Sequence, residues 1–152
     1  MEGAHLKLED LSGIPEAEVP FLHEIWNWEG DTSILPHKWE HMAQMARPDK
    51  KKDLTAKYLE ERFISSHKFD PQGIFFLTHR SKCMGTAMLI VHSDGSYELG
   101  HLYVDSHSVE CYKCLALMVI KYAESKGATS IRTLKPDHEN YLSILHNLGF
   151  KQ

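Results

Sequence analysis

The sequence predicts an α/β fold on a mixed sheet: three antiparallel strands in a row, then a helix, a further strand and a last helix. Three observations predict it. Ile74–Thr78, Met84–Val91 and Tyr97–Val104 are rich in β-branched and aromatic residues. Hairpin-length polar links separate them, His79 to Lys82 and the Asp94-Gly95 turn. Leu115 to Ile120 is apolar without interruption, too dense for a surface helix and suited to one pressed against a sheet. The strand Ile131–Leu134 comes next, and a helical crossover makes it parallel to Tyr97–Val104, splayed from it.

The join between Tyr97–Val104 and the long helix organises the rest. Asp105, Ser106, His107 and Ser108 are a polar break with natural turn and cap residues. A strand feeding a helix N-terminus aims several backbone N–H groups at one point, a ready site for an anion such as phosphate.

The remaining elements follow from local signals. Ala4–Leu8 reads as a short first strand and Ser12-Gly13-Ile14-Pro15 as a turn. Glu16 and Glu18 load a helix start, Pro20 fits its first turn, and Phe21, Leu22, Ile25 and Trp26 form one helical face ended by Gly30-Asp31. Pro36–Ala46 is a second helix, with Trp39, Met42 and Met45 at helical spacing. Asp53 caps a third, running to about Ser66, with Leu54, Tyr58, Leu59, Phe63 and Ile64 buried. Phe69 to Gly73 is a turn. The long helix spans about Val109 to Lys126, with Gly127 after it. Pro136 and Asp137 open the last helix, lined by Tyr141, Leu142, Leu145 and Leu148 and ended by Gly149.

Bulk properties narrow the function classes. The 152 residues read as one domain, 1–152, with enough chain to bury a real core. The net charge of −4 gives no global pull toward nucleic acid or an anionic membrane. Lys50-Lys51-Lys52 is a basic run without interleaved aromatics, a solvated loop. No apolar run approaches a membrane span, and MEGAHLKLED has no secretory h-region. Three cysteines do not make an extracellular disulfide framework, so a cytoplasmic setting with reduced thiols is expected.

Four pieces resemble the GNAT superfamily of acyl-CoA-dependent N-acetyltransferases: FDPQG leading into GIFFLTHRSKCMGTAML, ELGHLYV, ALM at Ala116–Met118, and HENYLSILHNLGF. FDPQG is also similar to the mycothiol synthase branch. The resemblance covers the C-terminal half by residues and the N-terminal half by pattern. It implies acetyl-CoA as co-substrate and a small-molecule or peptide amine as acceptor. It also implies that the strand end Leu102, Tyr103 and Val104 would pair with pantetheine. The pyrophosphate loop falls on Val109, Glu110, Cys111, Tyr112, Lys113 and Cys114. This stretch departs from the family pattern, with Tyr112 and Cys114 in place of both glycines. Glycine lets phosphate approach the backbone. Tyr112 either fills the phosphate position or points away, Glu110 repels a pyrophosphate, and Lys113 offsets part of that. Glu98 falls where some members carry a general base, and is otherwise an edge glutamate facing solvent. The usual acid tyrosine falls on Leu145. Tyr141, a turn earlier on the same face, is a substitute or a core residue. His138, where relatives place an asparagine against the cofactor, is otherwise a local cap.

The family continues past its Gly-Phe with more strand. The sequence stops at Gln152, so Ile131–Leu134 is expected to be an open edge: a partner chain covers it, as in a homodimer, or the sequence is cut short, or this is a worn copy of the fold.

Other constellations carry alternatives. Cys111-Tyr112-Lys113-Cys114, with His107, reads as a redox pair or three zinc ligands with His101 as a fourth, or as small residues filling a helix start. No metal site is assigned. His37 and His41 share a helix face without a correctly placed glutamate. Trp26, Trp28 and Trp39 line an acceptor cleft or the core. Two functions stand: acyl transfer to an amine, with a strand N–H near Tyr103 polarising the carbonyl, or a non-catalytic domain of this fold that binds a ligand or protein partner.

Overall fold

The computed structural model describes residues 4–66, 68–105 and 108–152. A six-stranded sheet runs in the order β1-β6-β5-β4-β3-β2. Its strands are β1 His5–Leu8, β2 His23–Asn27, β3 Ile74–His79, β4 Lys82–Val91, β5 Tyr97–Val104 and β6 Ile131–Leu134. The helices are α1 Leu35–Ala46, α2 Ala56–Leu59, α3 Val109–Ser125 and α4 Glu139–Leu148.

The expected meander is present. Strands β3, β4 and β5 pair antiparallel in sequence order, and β5 pairs parallel with β6. Arg80 and Ser81, both at positive φ, make the tight turn between β3 and β4. Two apolar layers form on the two faces of the sheet. One packs α3 and α4 against Leu6, Leu77, Leu89, Leu99 and Ile131. The other packs Trp39, Leu59 and Phe63 against Phe76 and Met88. Trp39 and Trp28 are core residues and Trp26 is half-buried against them. His37 and His41 are exposed on α1.

Three expectations are corrected. The helix expected from Glu16 to Gly30 is not formed; its second half is β2, paired antiparallel with β3 from His23↔His79 to Asn27↔Phe75. Leu22 at φ 62° turns the chain into that strand. Phe21 and Leu22 lie exposed, so the apolar doublet that suggested a helical face never shares one. In the third helix the cap is Thr55, accepting from Tyr58 N, rather than Asp53. The helix becomes a π turn over Glu60–Ile64. Finally, β6 is not an open edge. Strand β1 pairs with it antiparallel from His5↔Leu134 to Leu8↔Ile131. The far side of Lys7 exchanges two backbone bonds with Lys151, at 2.7 and 2.9 Å. The exposed strand from which a homodimer was expected is thus already covered within the chain.

Candidate functional site

The site grows out of one local failure of pairing. Strands β5 and β6 are in register only at Glu98↔Arg132 and Leu99↔Thr133. Beyond those positions they part. The Thr133 hydroxyl donates to the Leu99 carbonyl at 2.8 Å, closing the last polar group before the gap. On its other side β5 carries a bulge: Thr86↔Tyr103 and Met88↔Gly100 leave His101 and Leu102 opposite Ala87 alone. His101 sits at φ 52°, which a bulge tolerates and a regular strand does not. Gly100 leaves room there for Ile90, whose Cδ1 would lie 2.3 Å from an added Cβ and would have to shift to admit one.

The parted strands open a cleft of about 540 Å³ lined by the Gly100–Tyr103 stretch of β5, Thr133 to Asp137 and the start of α4. Glu98 lies at its closed end. It is buried, receives a hydrogen bond from His92 Nε2 at 2.7 Å, and has Arg132 Nε at 3.8 Å. Tyr112 and Tyr141 form the wall between α3 and α4, their rings stacked 4.0 Å apart and 6° from parallel. Burial raises both phenols above their ordinary value, with Arg47 pulling Tyr141 partly back, so each keeps its proton at neutral pH. Arg47 reaches in from the end of α1. It holds Asp49 through two bonds of 2.8 and 2.7 Å and lies 5.6 Å from the Tyr103 ring centre.

Solved structures share this architecture. A GCN5-related N-acetyltransferase from Sphaerobacter thermophilus superposes with a TM-score of 0.69 at 12% identity, over 96% of this chain and 46% of that one. One from Kribbella flavida gives 0.61 at 14%, over 97% and 53%. The ribosomal-protein-S18-alanine N-acetyltransferase from Escherichia coli gives 0.61 at 20%, over 86% and 78%. The chain has the GNAT fold. At these identities the likeness is one of fold, and the chain spans about half the length of the first two proteins. No protein-family model and no curated protein matches the chain.

On the GNAT fold the sequence-derived residues divide. Glu98, Leu102, Tyr103, Tyr112, His138 and Tyr141 all line the cleft. Glu98 is thus not the solvent-facing alternative. His138 caps α4, accepting from Asn140 N at 3.2 Å, at the cleft mouth. Val104 and Cys111 are core residues. Val109 is exposed. Glu110, Lys113 and Cys114 border a separate groove beside Pro15 and Pro20. Leu145, in the place of the usual acid, is fully buried.

The anion site expected at the start of α3 is reduced. Ser108 Oγ accepts from Cys111 N at 3.3 Å, and Ser108 O accepts from Tyr112 N at 3.0 Å. Those two amides already have acceptors within the chain. The Tyr112 ring is buried and stacked on Tyr141, on the cleft wall. The surroundings of Cys111 and Cys114 disfavour a thiolate at either position. Both thiols are buried, and burial raises Cys111 and pushes Cys114 up to about 11. His107 lies outside the described residues. No cluster of three metal-ligating side chains occurs among the described residues.

Arg47, Gly100 and Thr133 were missed from the sequence. A glycine inside a strand pattern signals a bulge or a close approach, so Gly100 carried a readable cue. Arg47 and Thr133 carried none, since only tertiary packing brings them to the cleft.

Proposed function

We propose that the chain transfers an acyl group from an acyl-CoA thioester to an amine in the cleft between β5 and β6. The observation that carries this is the parting of β5 from β6 immediately beyond Glu98 and Leu99, beside a bulge at His101. An open strand edge recognises an extended, amide-bearing ligand through main-chain hydrogen bonds, which fits a pantetheine arm. A bound acyl-CoA would supply the activated carbonyl carbon. Glu98, buried at the closed end, would take the proton released as the amine nitrogen bonds to that carbon. Its bond from His92 fixes the carboxylate in place. Tyr141, held protonated, would return a proton to the departing sulfur. Leu102, Tyr103 and the α4 cap His138 would line the arm.

The acyl-CoA fit is good along the strands and poor at the phosphates. Ser108 already occupies the Cys111 amide, and Glu110 adds a negative charge to the first turn of α3. That observation favours a second reading, a non-catalytic domain of this fold that binds a ligand or protein partner. Thiol release from acetyl-CoA in the presence of a mixed amine panel separates the two. Amine-dependent release, reduced about 100-fold or more in Glu98→Gln, is expected for acyl transfer. Release that is absent with every amine would leave the second reading.

A further inference from the structure

A second cavity, of about 200 Å³, opens on the same sheet face as Glu98. Ile90 and Glu98 are direct cross-strand partners, so their side chains share a face. Ile90 lines the new cavity, and so does His92, whose ring is bonded to Glu98. The far wall is apolar, formed by Phe63 and Phe69. The rim is basic. Arg62 comes from the π turn and Lys68 from the segment after it.

These two cations are not neutralised. Among the described residues neither Arg62 nor Lys68 has a carboxylate within ion-pair distance. Two of the nearby acids are engaged elsewhere: Asp70 accepts from the Tyr122 hydroxyl and lies 4.0 Å from Lys126, and Asp94 accepts from Ser96. Arg62 is held in place by its own neighbour, its guanidinium carbon 5.2 Å from the Phe63 ring centre. Two unpaired cations over an apolar wall recognise an anion with an apolar body. The Glu98 carboxylate, bonded to His92 on the cavity wall, suits an amine at the other end of the ligand.

We propose that this cavity is the acceptor subsite and selects an amine that also bears a carboxylate, an amino acid or short peptide with an apolar side chain. Arg62 and Lys68 hold its carboxylate, Phe63, Phe69 and Ile90 its apolar body, and its amine points toward Glu98. The role of acceptor rests on the acyl-transfer reading; the binding does not.

The test is calorimetry of the full chain, without acyl-CoA, against L-phenylalanine and glycyl-L-phenylalanine and against their C-terminal amides. The acids are expected to bind about tenfold tighter than the amides, the worth of one charge-assisted hydrogen bond. The double variant Arg62→Gln/Lys68→Gln should lose that preference, while Arg62→Lys retains most of it. Both side chains are exposed, and an unchanged thermal transition verifies folding. Acids that do not bind, amides that bind equally well, or a preference that survives the double variant would each overturn the proposal. Acids that bind as stated support it even if no thiol is released, in which case acyl transfer alone falls. Thiol release with phenethylamine but not with the acids overturns the subsite and leaves acyl transfer standing.

Discussion

His101 shows how a single side chain ties the fold to pH. Its ring is packed among Trp39, Phe63 and Tyr103, with neither ring nitrogen hydrogen-bonded. Burial, and then the charge of Arg62, lowers its pKa from 6.5 to about 4. Above the unfolded value both states are neutral and the group contributes nothing. Between those two values the unfolded chain binds a proton that the folded chain does not, so stability falls as pH falls. The loss by the lower end is of order 3 kcal/mol. Thermal melts of His101→Leu should therefore lose less stability than wild type between neutral and acid pH; parallel loss in both proteins would refute this. The three cysteines give a second residue-scale expectation. All are buried, with Cys83 pushed up to about 12 and Cys114 to about 11. Iodoacetamide should leave them unmodified in the native protein at mildly alkaline pH and alkylate all of them after denaturation. Rapid native labelling of Cys111 or Cys114 would restore a redox role.

At the scale of elements, the start of α3 is the informative one. Ser108→Ala removes the side-chain cap and should cost about 1 kcal/mol in chemical denaturation. Glu110→Gln removes a charge from the same turn. It should tighten CoA binding by up to about 1 kcal/mol, and weaker binding would show that Glu110 makes a favourable contact instead. Tyr112 and Cys114 are poor targets for restoring glycines, since both are packed in the core. Strand β2 shows where local pattern stops being readable. Ile25 packs toward the α3 layer and Trp26 toward the α1 layer. A five-residue strand with apolar contacts on both faces shows no apolar–polar alternation, so its spacing passes for a helical one. The pairing that decides it, with β3, is long-range. By contrast β5 and β6 were legible to the residue, because strong turn signals bound them. Glu98 was identifiable as a candidate from its place on β5. Its burial and its His92 partner were not, because both depend on β4 and β6 lying alongside.

Over the whole molecule, β1 covers the outer side of β6. Leu6 and Leu8 insert from β1 into the α3 layer, and Lys151 bridges the outer side of β1. Leu6→Ala should destabilise the protein by about 2–5 kcal/mol, measured by denaturant unfolding. A near-neutral effect would mean that β1 is not an integral strand. The order β1-β6-β5 also fixes the cleft, because β6 is held from outside while its inner edge parts from β5. That parting opens the cleft. Calorimetric titration with acetyl-CoA and with free CoA tests it as an acyl-CoA site most directly, with amide chemical shifts read on the same samples. Saturable binding of one ligand per chain is expected, with the shifts concentrated at Gly100–Val104 and the start of α3. No heat at millimolar CoA, or shifts that leave β5 untouched, would contradict an acyl-CoA site between β5 and β6.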